Sequence, residues 1–241
     1  MLLTVAGALL FLRLGVWQLH RADFKEALLR RYAASASAPP VDFDSVAGKP
    51  PADAFPRVRL HGRYLADRIY LLDNPKHDGR GGVEVYVPLE LADKSKLLLV
   101  DLGFLDGNGS RQAPSLPALP TGEVTLQGLY LPPPGSGFRM GGDALARQTR
   151  WPKTSIFLDP EEIAADIGRS LYPRVLALDP EPSSVYVRQH VLDFSAMPPA
   201  RHRAYAFQWF TFAVAVVVLL LVLHRRRKPR QSDSHEVDEV R

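Results

Sequence analysis

Two apolar runs, one at each end of the chain, constrain its fold more than any other feature. They cover residues 1–18 and 205–223, and each is joined to a cluster of Trp, Gln, Arg, His and Tyr. The second run carries no charge over its 19 residues. At about 1.5 Å rise per residue, it is long enough to cross a hydrocarbon core of about 30 Å. His224-Arg225-Arg226-Arg227-Lys228-Pro229-Arg230 follows directly. A basic run beside a span marks the cytoplasmic side, which puts the C-terminus inside and Tyr205, Phe207 and Trp209 near the opposite interface.

The first run has a rival reading as a cleaved secretory signal. It lacks a basic leading segment and a small-x-small cleavage site, and helical periodicity continues beyond it. An uncleaved first span is therefore expected, with both termini cytoplasmic and residues from about 22 to 200 outside the cytoplasm, the periplasm in a bacterium. Arg13 lies inside this run; at that depth it must snorkel or face a protein partner.

Composition removes several function classes. The chain has no cysteine, which excludes disulfides and thiolate sites for copper, zinc or iron–sulfur. Its three methionines are scattered. The net charge of +4 is concentrated in the tail beside the second span, so the basic balance points to membrane topology and not to nucleic acid.

Subtracting both spans leaves roughly 165 residues, enough for one domain with a real core. Residues 22–32 continue the first helix, with Phe24, Leu28 and Tyr32 at four-residue spacing and Glu26 one turn before Arg30. Residues 33–56, rich in Ala, Ser and Pro, read as a linker or irregular entry segment. Strand patterns follow at 57–64, 68–73, 82–89, 96–104, 123–130, 174–178 and 185–189. One helix is signposted by Asp159 as cap, Pro160 at its first position, Glu162 for a capping box and Gly168 as its stop. Residues 131–142 read as a flexible loop, and 231–241 as a disordered tail. The expected class is α+β: two terminal transmembrane helices flanking a β-rich extracytoplasmic domain, a small barrel or curled sheet with one or two helices. The expected divisions are 1–21, 22–200, 201–224 and 225–241.

Chemistry gathers at the two junctions. At about 100° per residue, His202, Tyr205, Ala206 and Trp209 share a face of the second helix. Trp17, Arg21 and Phe24 share one on the first, flanked by His20. Such a pair of helix ends can form a ligand pocket in which an imidazole binds a metal or haem iron and aromatic rings pack a planar macrocycle. Arginines can there neutralise carboxylates. Interface aromatics and arginines are equally expected in any membrane protein, and Gln18 and Gln208 could simply bond one helix to the other.

Other features are weaker. Gly79-Arg80-Gly81-Gly82 lacks the Lys-Ser/Thr and helix of a phosphate loop and reads as a turn. Asp73, His77 and Asp78 could hold a metal, but in a turn-like segment. No nucleophile–base pattern is present, so no enzyme activity is expected. His61, His190 and His235 read as surface or strand residues.

The junction motifs Leu14-Gly15-x-Trp17-Gln18-x-x-Arg21 and His202-x-x-Tyr205-Ala206-x-x-Trp209-Phe210 resemble those of the Surfeit locus protein 1 family. These are assembly factors for haem–copper cytochrome c oxidase. Gly62-x-Tyr64, Leu71-x-Asp73-Asn74 with the 79–82 turn, Val87-Pro88-Leu89 and Leu98-Leu99-Val100-x-x-Gly103-Phe104 continue the resemblance in order, and Trp151-Pro152-Lys153 is similar to the bacterial branch. The resemblance implies a non-enzymatic protein of the bacterial inner membrane that binds haem a, or hands it from haem A synthase to oxidase subunit I. It implies His202 as iron ligand, with Tyr205 and Trp209 lining the site, Trp17, Gln18 and Arg21 as the matching first-helix element, and Arg21 or Arg201 near the propionates. Partners besides lipid would be subunit I and haem A synthase; a haem-free scaffold gripping either is the alternative. One departure stands out: the family often has Asn-Arg-Gly where this chain has Asp101-Leu102-Gly103, so any role of that arginine does not carry over.

Overall fold

The computed structural model describes residues 2–48, 50–51, 53–77, 79–92, 96–107, 115–134, 145–188 and 197–226. Its chain divides into two units. One combines Met1–Ala27 with Ser195–Arg241; the other is Leu28–Phe194.

The first unit is a helix pair. Helix α1 (Leu2–Ser37) runs without interruption from the apolar run through the charged stretch beyond it. Helix α3 (Pro199–Arg226) holds the second run. Both are long and apolar enough to cross a membrane. The α3 start follows from Pro198-Pro199: proline at the first helical position loses no needed donor, and the Pro198 carbonyl accepts from the Arg201 amide at 3.0 Å.

The second unit is an α+β domain built on one eight-stranded sheet. Its strands are β1 (Val41–Asp42), β2 (Arg57–Tyr64), β3 (Tyr70–His77), β4 (Arg80–Leu91), β5 (Leu97–Asp106), β6 (Glu123–Leu131), β7 (Lys153–Ser155) and β8 (Leu171–Leu178). They lie in the order β1-β2-β6-β8-β5-β4-β3-β7. A short antiparallel seam, Gly62↔Leu91, Arg63↔Glu90 and Tyr64↔Leu89, joins β2 to β4. The curled sheet thereby closes into a ring rather than a regular barrel.

Strand alternation sorts the side chains into two cores. Val58, Leu60, Val85, Val87, Leu89, Leu98, Val100, Leu176 and Leu178 pack together on one face with Phe43 and Tyr130. Tyr86, Leu99, Leu129, Val175 and Ala177 point to the other, where Ile163, Phe55 and Leu28 cover them. Because both faces are buried, β5 reads as an almost continuous apolar run. Helix α2 (Pro160–Ile167) supplies Ile163 and is built as its signals require: Asp159 accepts from the Glu161 amide at 2.9 Å, and Gly168 ends it at φ +72°. Glu162 accepts from the Leu145 amide at 3.0 Å and so ties residue 145 to the helix.

Local differences from the sequence expectations have plain causes. Of the two readings of residues 33–56, the structure favours the irregular entry segment: α1 continues to Ser37, and Phe43 and Phe55 are buried at 2% and 1% exposure. Two large rings outweigh the Ala, Ser and Pro around them. At 185–189 the structure has an isolated bridge, Val187 to Phe104, in place of a strand. The 79–82 segment is the β3–β4 turn, with Gly79 at φ +78°, a conformation suited to glycine. The anticipated loop lies outside the described residues from 135 onward, as do Asp78, His190, His235 and the tail.

Candidate functional site

The helix pair is assembled on a stripe of small and aromatic residues. Ala22, Ala206 and Ala213 are buried at 0%, 1% and 3% exposure. A Cβ on Gly15 would stand 2.6 Å from the Phe210 ring, so glycine is what lets that ring close on α1. Small residues allow helix backbones this close approach where lipid offers no hydrophobic driving force. One level along, Phe11 stacks on Trp209 with ring centroids 5.7 Å apart, and Phe212 closes the group at 5.8 Å from Phe11.

On the same stripe, toward the start of α3, lies His202, 6% exposed. Its Nδ1 is 2.6 Å from the Gln18 Oε1. With the Gln18 amide oxygen accepting, Nδ1 is the protonated nitrogen, and in the neutral imidazole Nε2 then presents its lone pair. Nε2 is buried and has no hydrogen-bond partner among the described residues. A hydrogen bond to one ring nitrogen that fixes the tautomer and frees the other for an electrophile is the arrangement metal-binding histidines use.

Cations surround this imidazole. Lys25 is 5% exposed and its Nζ donates to the Met197 carbonyl at 2.5 Å. Lys25 and Arg21 are the charged groups that act electrostatically on His202. Arg203 binds Glu26 at 2.6 Å and lies 3.8 Å from Asp23, an ion pair between the two helices.

Gln18 and His202 are thus brought into direct contact, and Trp209 lies in the helix contact about two turns farther along α3, against Phe11. Trp17 and Tyr205 are 56% and 39% exposed, and Arg21 and Arg201 are exposed as well. Arg21 stacks over the Phe24 ring at 5.4 Å. These four residues form an open rim rather than a closed pocket. Gln208 is exposed, and among the described residues the cross-helix bond is made by Gln18. Sequence reasoning missed Lys25, Phe11 and Gly15. All three were visible as members of the 11-15-18-22-25 stripe, at the spacing of one helix face.

The weaker candidates gain nothing. No group of three or more His, Cys, Asp or Glu suited to a metal occurs among the described residues. His77 packs on Phe104 at 5.5 Å, and His61 Nδ1 meets the Thr125 hydroxyl at 2.9 Å on the exposed side of β2.

The sheet domain holds a second ionisable cluster. Asp101 is buried, accepts from the Gly103 amide at 2.9 Å, and is hydrogen-bonded to Glu84 and Tyr86. Burial pushes its carboxyl up to about 7; the bonds from Gly103, Glu84 and Tyr86 and the charge of Arg188 oppose that rise without cancelling it. Burial also raises the Tyr86 phenol well above its ordinary value, with Asp101 and Glu84 adding to the effect.

Residues 5–214 match the family model described as the SURF1 family. No curated protein matches the chain.

Proposed function

The chain belongs to the SURF1 family, which is associated with assembly of cytochrome oxidase, and from that premise we propose that it is a membrane-anchored factor handling haem a for oxidase subunit I. Both helices span the inner membrane, the Arg-rich end of α3 faces the cytoplasm, and the sheet domain is periplasmic. His202 Nε2 is the iron ligand. Gln18 holds its tautomer, Trp209 and Tyr205 offer ring surface, and Trp17 continues that surface on α1. Arg21 and Arg201 are placed to meet propionates as charge-assisted donors. Haem a would supply the redox iron centre; this protein would hold it through the His202 imidazole, the ring surfaces of Trp209, Tyr205 and Trp17, and the Arg21 and Arg201 cations.

One observation carries the reading: a buried imidazole nitrogen with its lone pair free and its opposite nitrogen committed to Gln18. Leaving such a group bare costs on the order of 1–3 kcal/mol, a cost that ligation would remove. The test is to co-produce the full chain with haem A synthase, purify it and extract its pigment. Haem a in the extract supports the reading, and a Gln18→Leu variant should then hold it about 10–100-fold more weakly. Colourless protein from cells rich in haem a contradicts it.

A second reading, a haem-free scaffold gripping subunit I or haem A synthase, is favoured by one fact. Nε2 is buried as well as bare among the described residues, so iron can reach it only if the surrounding side chains move. Co-purification with either partner but without pigment would select the scaffold.

A further inference from the structure

Helix α1 has two opposed faces. Phe11, Gly15, Gln18 and Ala22 meet α3 or lie buried along it. On the other side stands Arg13, with Leu9, Leu10, Val16 and Trp17 all within about 60° of it at about 100° per residue. These four are 61%, 55%, 45% and 56% exposed, and Arg13 is exposed too. Arg13 is the only formally charged residue between positions 2 and 19. No hydrogen bond or ion pair engages it among the described residues.

The helix contacts fix its depth. Phe11 stacks on Trp209 and Gly15 closes on Phe210, so Arg13 is level with that aromatic pair. From Phe210 the uncharged run of α3 continues to Leu223, about 20 Å at helical rise, whereas α1 stays uncharged for about 9 Å beyond Arg13 before His20 and Arg21. Helical side chains lean toward their own N-terminus. On α1 that direction is away from His20 and Arg21, so the guanidinium turns from the nearer polar boundary into the apolar zone.

A guanidinium at such depth requires an accepting or anionic group. A second copy presenting the same face would set Arg13 against Arg13, and like charges repel. A carboxylate fits instead: the planar fork takes it through two parallel N–H···O bonds, and the flanking Leu, Val and Trp side chains supply packing. Resting on the reading of α1 as a membrane span, we propose that the Leu9-Leu10-Arg13-Val16-Trp17 face docks a membrane-spanning helix of a partner protein that carries an aspartate or glutamate within the bilayer.

The test places a photo-crosslinking side chain at Leu10 in the full chain in its own membranes, with Phe207 on α3, 75% exposed, as control position. The expected result is a crosslink from position 10 to a membrane-spanning peptide containing Asp or Glu, lost in Arg13→Leu and kept in Arg13→Lys. Arg13→Leu makes the run more apolar, so the loss cannot come from failed insertion. Adducts only with lipid, only with a second copy, or unchanged by Arg13→Leu would each overturn the proposal. Insertion is read separately. The chain has no cysteine, so a single Leu10→Cys reports membrane burial by its resistance to a water-soluble maleimide. Full labelling there would overturn the span itself, whereas protection with no carboxyl-bearing partner overturns only the docking.

Discussion

Arg174 in the sheet domain and His202 in the helix pair are buried to nearly the same degree, 7% and 6% exposed, yet they are treated in opposite ways. Arg174 donates to four carbonyls, those of Ala54 at 2.6 Å, Pro51 at 2.7 Å, Pro50 at 3.1 Å and Tyr130 at 3.3 Å. It pins the 50–54 segment to the sheet, and its guanidinium is used up in doing so. Lys153 and Asp166, also buried, are matched to each other at 2.5 Å. His202 by contrast has one nitrogen fixed and the other left bare. A polar group spent on structure is saturated; one held for a ligand is not. The sheet domain has one bare buried polar side-chain atom among the described residues, the Tyr130 hydroxyl. Burial pushes that phenol up to about 12, with Arg174 partly opposing, so it stays protonated and is a poor ligand beside a neutral imidazole.

The contrast can be broken by mutation. Arg174→Ala should have the largest effect, a loss of about 3 kcal/mol as several buried carbonyls lose their donor, read as a lowered urea midpoint of the detergent-solubilised protein. A loss below about 1 kcal/mol would make Arg174 no more structural than a surface residue.

Next come two glycines at close approaches. A Cβ on Gly128 would stand 2.1 Å from the Ala177 carbonyl oxygen, which is backbone in a paired strand and cannot yield. Gly128→Ala should cost about 2 kcal/mol. Gly15→Ala meets only the Phe210 ring, a side chain that can swing, and should cost less than about 1 kcal/mol. Equal losses in thermal unfolding would show the helix pair to be as rigidly packed as the sheet.

The smallest effect concerns pH. Asp101 titrates near 7 in the fold, well above its ordinary 3.8. The folded state therefore binds this proton more tightly than the unfolded one. The associated stability is complete below about pH 4 and is lost as pH rises through about 7. The wild type should unfold at a lower temperature at pH 8 than at pH 5, and Asp101→Asn should flatten that difference. An unchanged pH profile would remove Asp101 as its source.

Much of this was legible in the sequence, for physical reasons. The two long apolar helices, the Asp159–Gly168 helix and most strands announce themselves through uninterrupted apolarity, cap chemistry and alternation, all local signals. Within 33–56 the burial of Phe43 and Phe55 was not legible, because their packing is decided by distant strands. At the site, His202 meets Gln18, which the sequence marks only as able to bond the other helix, and Trp209 packs on Phe11 farther along the pair, whereas Trp17, Tyr205, Arg21 and Arg201 remain on the rim. Periodicity gives the face of a side chain but not the register of two helices. That register is set by Gly15 under Phe210 and by Lys25 on the Met197 carbonyl, contacts between residues more than 170 positions apart.

The central claim is that the bare nitrogen of His202 is kept for haem iron. The most direct measurement is the absorption spectrum of the full chain, wild type and His202→Ala, each purified after co-production with haem A synthase. The account predicts a Soret band in the wild type that disappears in the variant while circular dichroism and elution volume stay unchanged. An identical Soret band in His202→Ala would contradict it.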